Sequence, residues 1–175
     1  MLVQLRFLSE KDADIASQVA NATMILYKDH FYEEEWQEFV VKLTPERYVR
    51  RFRNPFTFFI GGFKGSELIG FGGGGFLKNP NAAAAILSEL YVLPKYQGIG
   101  LSRPLYQAME QEAFRKKARI WIESFLWDID YHVHFGYKVI DSITHLDRKL
   151  VFMEKARPDI MPTDLKIEPP ENNCL

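Results

Sequence analysis

From residue 2 to residue 8 the chain alternates, with Leu2, Gln4 and Arg6 set against Val3, Leu5 and Phe7, and this two-residue period predicts a strand. At Ser9 the pattern changes. Ser9 is placed to cap a helix whose first turn carries Glu10 and Asp12, and Ile15, Val19, Ala22 and Leu26, spaced by four, three and four, predict its buried stripe. A further helix is expected after Thr44, a capping residue followed by Pro45 at the first helical position. Residues 56–63 are a β-branched and aromatic run, and Lys64-Gly65-Ser66 turns it into Glu67-Leu68-Ile69-Gly70-Phe71, a hairpin. A second turn at Lys78-Asn79-Pro80-Asn81 leads to a strand that ends near Leu93 and is closed by Pro94. Residues 56–93 therefore predict an antiparallel meander.

From Gly100 the period lengthens. Leu101, Leu105, Ala108, Met109 and Ala113 fall on one helical face, and residues 118–124 make a short strand after it. Two last strands are expected around 137–142 and 146–154. From Ala156 the composition shifts to Pro158, Pro162, Pro169 and Pro170 among polar residues, so we expect one domain over residues 1–155 and an irregular tail over 156–175.

Composition narrows the function classes. A chain of 175 residues with 47% hydrophobic and 14% aromatic residues suits one domain with an aromatic-packed core. A net charge of −1 leaves no global field that would make nucleic acid or an anionic membrane the expected partner. The single cysteine, Cys174, excludes an intrachain disulfide and a four-cysteine zinc site. No stretch approaches the ~18 apolar residues of a membrane span, and the alternating start lacks the apolar core of a signal peptide. A soluble cytoplasmic protein is the expectation.

The strongest chemical signal is the turn Gln97-Gly98-Ile99-Gly100-Leu101-Ser102 between a strand and a helix. The first amides of a helix have no internal partner and the helix dipole adds about half a positive charge, so a phosphate can accept several N–H bonds there. Gly98 and Gly100 let the backbone approach without Cβ clashes, and Pro104 falls where its missing N–H is harmless. Leu90-Tyr91-Val92-Leu93-Pro94-Lys95-Tyr96-Gln97-Gly98-Ile99-Gly100 resembles the acetyl-CoA-binding motif of the GNAT superfamily of N-acetyltransferases. In that motif Gln or Arg, two residues, Gly, one residue, then Gly or Ala cradle the pyrophosphate. Ser102 departs from the last position. Serine is small, and its hydroxyl can itself donate to phosphate.

The resemblance implies an α/β (α+β) GNAT fold: a mixed, mostly antiparallel sheet of about seven strands, about four flanking helices, and splayed central strands. It implies acetyl-CoA as cosubstrate, no metal, a primary amine as acceptor, and room for a homodimer. Leu90, Tyr91 and Val92 would hold the pantetheine and Gln97 to Ser102 the pyrophosphate, with residues 120–124 as the other splayed strand. A small amine or polyamine is slightly favoured over a protein as acceptor.

Transfer to an amine requires the neutral amine, and lowering a pKa of ~10.4 to 7 corresponds to about 4.6 kcal/mol. Glu89, among Ile86, Leu87, Leu90 and Val92, is the candidate base; its other reading is a glutamate paired with a cation. The departing thiolate needs a proton, which the family commonly takes from a tyrosine four residues before the glycine of a Gly-aromatic pair. Counting back from Gly136-Tyr137 gives His132, with Tyr131 beside it. The preceding segment is about three residues shorter than usual, so His132, Tyr131 and water all stand as donors, and a structural histidine is the bland alternative.

Three further features have simpler readings. Gly72-Gly73-Gly74-Gly75 follows a strand but leads into no helix, which favours a glycine-lined strand over a phosphate loop. His132 and His134 with Asp128 and Asp130 fix no metal geometry. Glu33, Glu34 and Glu35 read first as a solvated helix start, and secondarily as an acidic rim for a cationic acceptor. A non-catalytic acyl-CoA-binding module of the same fold is the competing function. A doubly wound nucleotide-binding sheet is disfavoured by the meander.

Overall fold

Antiparallel pairing joins β1 (Gln4–Phe7), β2 (Thr57–Lys64), β3 (Glu67–Phe76) and β4 (Ala84–Val92), as the alternation and turns require. β5 (Arg119–Phe125) then lies parallel to β4, and β6 (Lys138–His145) and β7 (Arg148–Ala156) complete a seven-stranded sheet of order β1-β2-β3-β4-β5-β7-β6. The computed structural model describes residues 3–77, 82–145, 148–159 and 165–170. The turn expected at 78–81 and the thiol of Cys174 lie outside them.

Each face of the sheet has its own core. α1 (Ala13–Met24) and α3 (Pro45–Arg53) cover Phe59, Phe63, Leu68, Phe71 and Tyr91, while α4 (Ser102–Lys116) covers Ile60, Ile69, Ala85, Leu87 and Ile120. Thr44 caps α3 by accepting the Arg47 amide at 3.3 Å, with Pro45 inside the first turn. α2 (Glu33–Val40) carries Glu33, Glu34 and Glu35 in its first turn. There Glu33 accepts from the Gln37 amide and Glu35 from the Tyr32 amide, as a solvated helix start predicts. α5 (Ile129–His134) makes five helices instead of about four. Six residues are too few to show a helical period in a sequence.

The stripe expected for α1 needs correcting. Ile15 and Leu26 are 39% and 52% exposed, and the buried face is Ala13, Ala16, Val19, Ala20 and Thr23. Small side chains let this helix lie close on the sheet, and the larger ones marked the wrong face.

Two features of β3 and β4 shape the middle of the sheet. Gly72 to Gly75 do form a glycine-lined strand: a Cβ on Gly72 would meet Met109 Sδ at 2.3 Å, and one on Gly74 would meet the Ile86 carbonyl at 2.1 Å. Opposite them, Gly73 pairs with Glu89 but Gly74 with Leu87, so Ser88 is an extra residue in β4. The bulge exchanges the two faces of the strand. Ala85 and Leu87 point toward α4 before it; after it Leu90 and Val92 do, and Glu89 and Tyr91 turn toward α1 and α3.

Residues 165–170 return to the domain. The Phe7 amide donates to the Glu168 carbonyl and the Glu168 amide to the Leu5 carbonyl, both at 2.9 Å, and the side chain of Gln111 makes both bonds with the backbone of Leu165.

Candidate active site

Pairing of β4 with β5 stops at Leu87 and Ile122. Beyond that point β4 keeps its bonds to β3 as far as Val92, and β5 keeps its bonds to β7 as far as Phe125, so the two strands part within one sheet. A cleft of about 630 Å³ opens in the gap, and the start of α4 faces into it. Leu90, Tyr91, Val92, Gln97, Gly98, Gly100, Leu101 and Ser102 line it together with Glu89, Tyr131 and His132. Ile99 alone of the expected site residues points away, with an exposed side chain.

The turn before α4 depends on its glycines. Gly98 and Gly100 have φ of +74° and +84°, a region costly for residues with a Cβ, and open space surrounds the Cβ position of each. The constraint is therefore on backbone shape, not on room. Gln97 Nε2 donates to the Val92 carbonyl at 3.0 Å and braces the turn against the end of β4. No side chain caps α4 at Leu101, and its first turn holds no acidic residue. The first three helices and α5 each carry at least one acid there.

Glu89 is not a lone carboxylate. Burial leaves its side chain 6% exposed, and Arg51 Nη1 pairs with Oε1, Arg47 Nη2 stands 3.5 Å from the same oxygen, and the Tyr48 hydroxyl donates to Oε2 at 3.2 Å. The bulge at Ser88 brings it to these partners. Burial in turn lowers the pKa of Arg51, and the nearby Arg47 adds to this.

His132 and Tyr131 differ sharply in environment. His132 Nδ1 shares a hydrogen bond of 2.9 Å with the Tyr106 hydroxyl, and burial pushes its pKa down to about 4, where near 6.5 was expected. At pH 7 roughly one molecule in a thousand would carry the imidazolium. The Tyr131 hydroxyl is buried, and no hydrogen bond to it is aligned among the described residues. Burial raises its pKa and the nearby Ser102 hydroxyl offsets this only in part, so the phenol stays protonated at neutral pH.

Because the folded protein holds His132 neutral, unfolding takes up a proton below pH ~6.5, and stability falls as the pH drops from there toward 4. Chemical denaturation at pH 7, 6, 5 and 4 is expected to show a shallower loss in His132→Gln, by up to one proton. An identical pH slope in both proteins would contradict the depressed pKa.

The residues considered for a metal do not converge. His134 Nε2 is 2.7 Å from Arg103 Nη2, His132 is bound to Tyr106, and among the described residues no group of three His, Cys, Asp or Glu is close enough to hold an ion. Among the same residues no helix is long and apolar enough to cross a membrane. Several cleft residues were not singled out from the sequence: Tyr106, Tyr27, Phe31, Glu123, Phe125 and Trp127. They come from three separate stretches of the chain, and nothing in their local pattern ties them to one site.

Residues 26–137 match the acetyltransferase (GNAT) family, more than half of the chain. The chain belongs to that family. No curated protein sequence matches it. Among solved structures, the PaiA N-acetyltransferase of Thermoplasma acidophilum in complex with coenzyme A is 23% identical, with a TM-score of 0.75 over 90% of this chain and 100% of that one. A probable acetyltransferase from Staphylococcus epidermidis is 15% identical, with a TM-score of 0.69 over 90% and 100%. An aminoglycoside 6'-N-acetyltransferase complexed with coenzyme A is 14% identical, with a TM-score of 0.66 over 91% and 100%. At these identities the structural likeness speaks for the GNAT fold, and the family match makes the protein a GNAT acetyltransferase.

Proposed function

We propose that this GNAT protein transfers the acetyl group of acetyl-CoA to a primary amine by direct attack in a ternary complex. The observation that carries the reading is the parting of β4 and β5 against an uncapped, acid-free helix start. The amides of Ser102 and Arg103 precede the first helical bond, from Leu105 to Leu101, and are available to a pyrophosphate with the turn from Gln97. The backbone edge of Leu90 to Val92 would take the pantetheine.

Acetyl-CoA brings an acyl group already activated as a thioester; the protein supplies position and proton traffic. Both carboxylate oxygens of Glu89 are engaged, one by the guanidinium groups of Arg51 and Arg47 and the other by the Tyr48 hydroxyl. We therefore give Glu89 the task of holding α3 on β4, and give removal of the ammonium proton to water in the cleft. Tyr131 is the proton donor to the departing sulfur: it is protonated and lines the cleft beside Ser102 at the start of α4. A protonated tyrosine in the cleft favours catalysis over the competing acyl-CoA-binding module.

Release of free thiol from acetyl-CoA is expected to depend on added amine, and equal release with and without amine would return the chain to the binding module. In Glu89→Gln, stability should fall while the pH profile of turnover keeps its shape, since two part-buried arginines lose their anion. Loss of the acidic limb in that variant would make Glu89 the base.

A further inference from the structure

On the side of the sheet facing α1 and α3, the cleft is walled by rings. One wall is the 3₁₀ turn of residues 25–30 with Phe31; the other is the end of β5 and the turn after it. These segments meet ring to ring across the opening. His30 stacks on Trp127 at 4.9 Å, Trp127 lies within 8° of parallel to Phe125 at 4.4 Å, and Phe31 turns its edge to Phe125 at 5.7 Å and to Trp127 at 6.3 Å. Such contacts add to the area they bury, so they hold the two walls together.

Charge divides the cleft in the same direction. Arg103 is the only Lys or Arg among its described lining residues, and it sits at the start of α4 with His134 against it. Ile120 and Ile122 of β5 point into the α4 core, so Glu123 and Phe125 share the opposite, ring-walled face. Asp128 joins them in the cleft lining next to Trp127; burial raises its carboxyl pKa, and the charge of His30 and a bond from Trp127 partly offset this. Carboxylates and aromatic faces together attract an ammonium group.

Taking the cleft as the proposed acetyl-transfer site, we infer that its acceptor is a small free amine, held as its cation by Glu123 and Asp128, and that the bridge of His30, Trp127, Phe125 and Phe31 shuts out polypeptides. A cation is drawn in where the carboxylates lie, and an extended chain entering on this side would meet the ring contacts that join the two walls.

The test compares putrescine, 2-phenylethylamine and a lysine-containing decapeptide with a free N-terminus, in the wild type, Trp127→Ala, Trp127→Leu and Asp128→Asn. The wild type should use both amines with kcat/KM at least ~100-fold above that for the peptide. Removing the stacked ring should raise peptide kcat/KM at least ~10-fold relative to the amines, in Leu as in Ala, with folding checked by the melting shift that CoA produces. Asp128→Asn should raise KM for the amines about ten- to a hundredfold while CoA binds as before. A wild type that acetylates the peptide as well as the amines, or a peptide ratio unmoved by both Trp127 variants, overturns the inference. Calorimetry on the CoA-loaded protein separates the two readings. Amine binding that Asp128→Asn weakens, without turnover, keeps the chamber and overturns the acetyl-transfer reading; neither binding nor turnover of any amine overturns the inference.

Discussion

Replacing Gly100 with Val abolishes the rise in melting temperature that CoA produces in the wild-type protein. At 100 times its dissociation constant a ligand adds ~2.7 kcal/mol, roughly 5–10 °C in a domain of this size. A valine at φ +84° is strongly disfavoured, and the turn can relieve the strain only by changing shape, which swings its amides and those at the start of α4 away from a phosphate. Nothing lies within 4 Å of the added Cβ position, so the apo protein keeps its fold. Thermal unfolding of both proteins with and without CoA decides the matter. A ligand-induced shift that survives in the variant would move the pyrophosphate elsewhere.

Tyr131→Phe is expected to lower kcat by about 10² to 10⁴ with little change in CoA affinity, the range typical of losing a positioned proton donor. Removing the hydroxyl takes away no hydrogen bond within the described residues, so the cost in stability is small. His132→Ala has a different expected result. It leaves the Tyr106 hydroxyl short of a partner and loosens the wall, but a histidine neutral at pH 7 has no acidic proton to contribute, so kcat falls by less than tenfold. Steady-state kinetics between pH 6 and 9 compares them. If the large loss appears in His132→Ala and Tyr131→Phe stays near wild type, the roles are reversed. If neither loses activity, water is the donor.

Much of the fold was readable from local pattern. Alternation, turn residues and Pro94 place β2 to β4, and the single-faced stripe from Leu101 to Ala113 is buried as expected. The turn from Gln97 to Ser102 was readable for the same reason, since strand, glycines and helix come directly one after another. What escaped depends on contacts between distant segments. Glu89 looked solitary because its neighbours in sequence are apolar, while its partners Arg47 and Arg51 lie about forty residues earlier and reach it only after the bulge has turned it to their face. His132 could be counted to the family's tyrosine position, but counting carries no information about burial or about Tyr106. The ring bridge joins residues nearly a hundred positions apart, and α1 misled because its apolar bulk faces outward while alanines face in.

The extra residue in β4 also sets how this enzyme can change over time. Ser88 is exposed and its hydroxyl accepts a bond only from Arg51, so many side chains would serve at that position. Its presence as a unit of length is another matter. Deleting it would leave every other residue intact yet turn Glu89 and Tyr91 onto the α4 face and Leu90 and Val92 onto the face of α1 and α3, exchanging buried carboxylate for apolar surface on both sides at once. Lineages of this protein should therefore drift freely in the letter at 88 while losses or gains of a single codon there are purged.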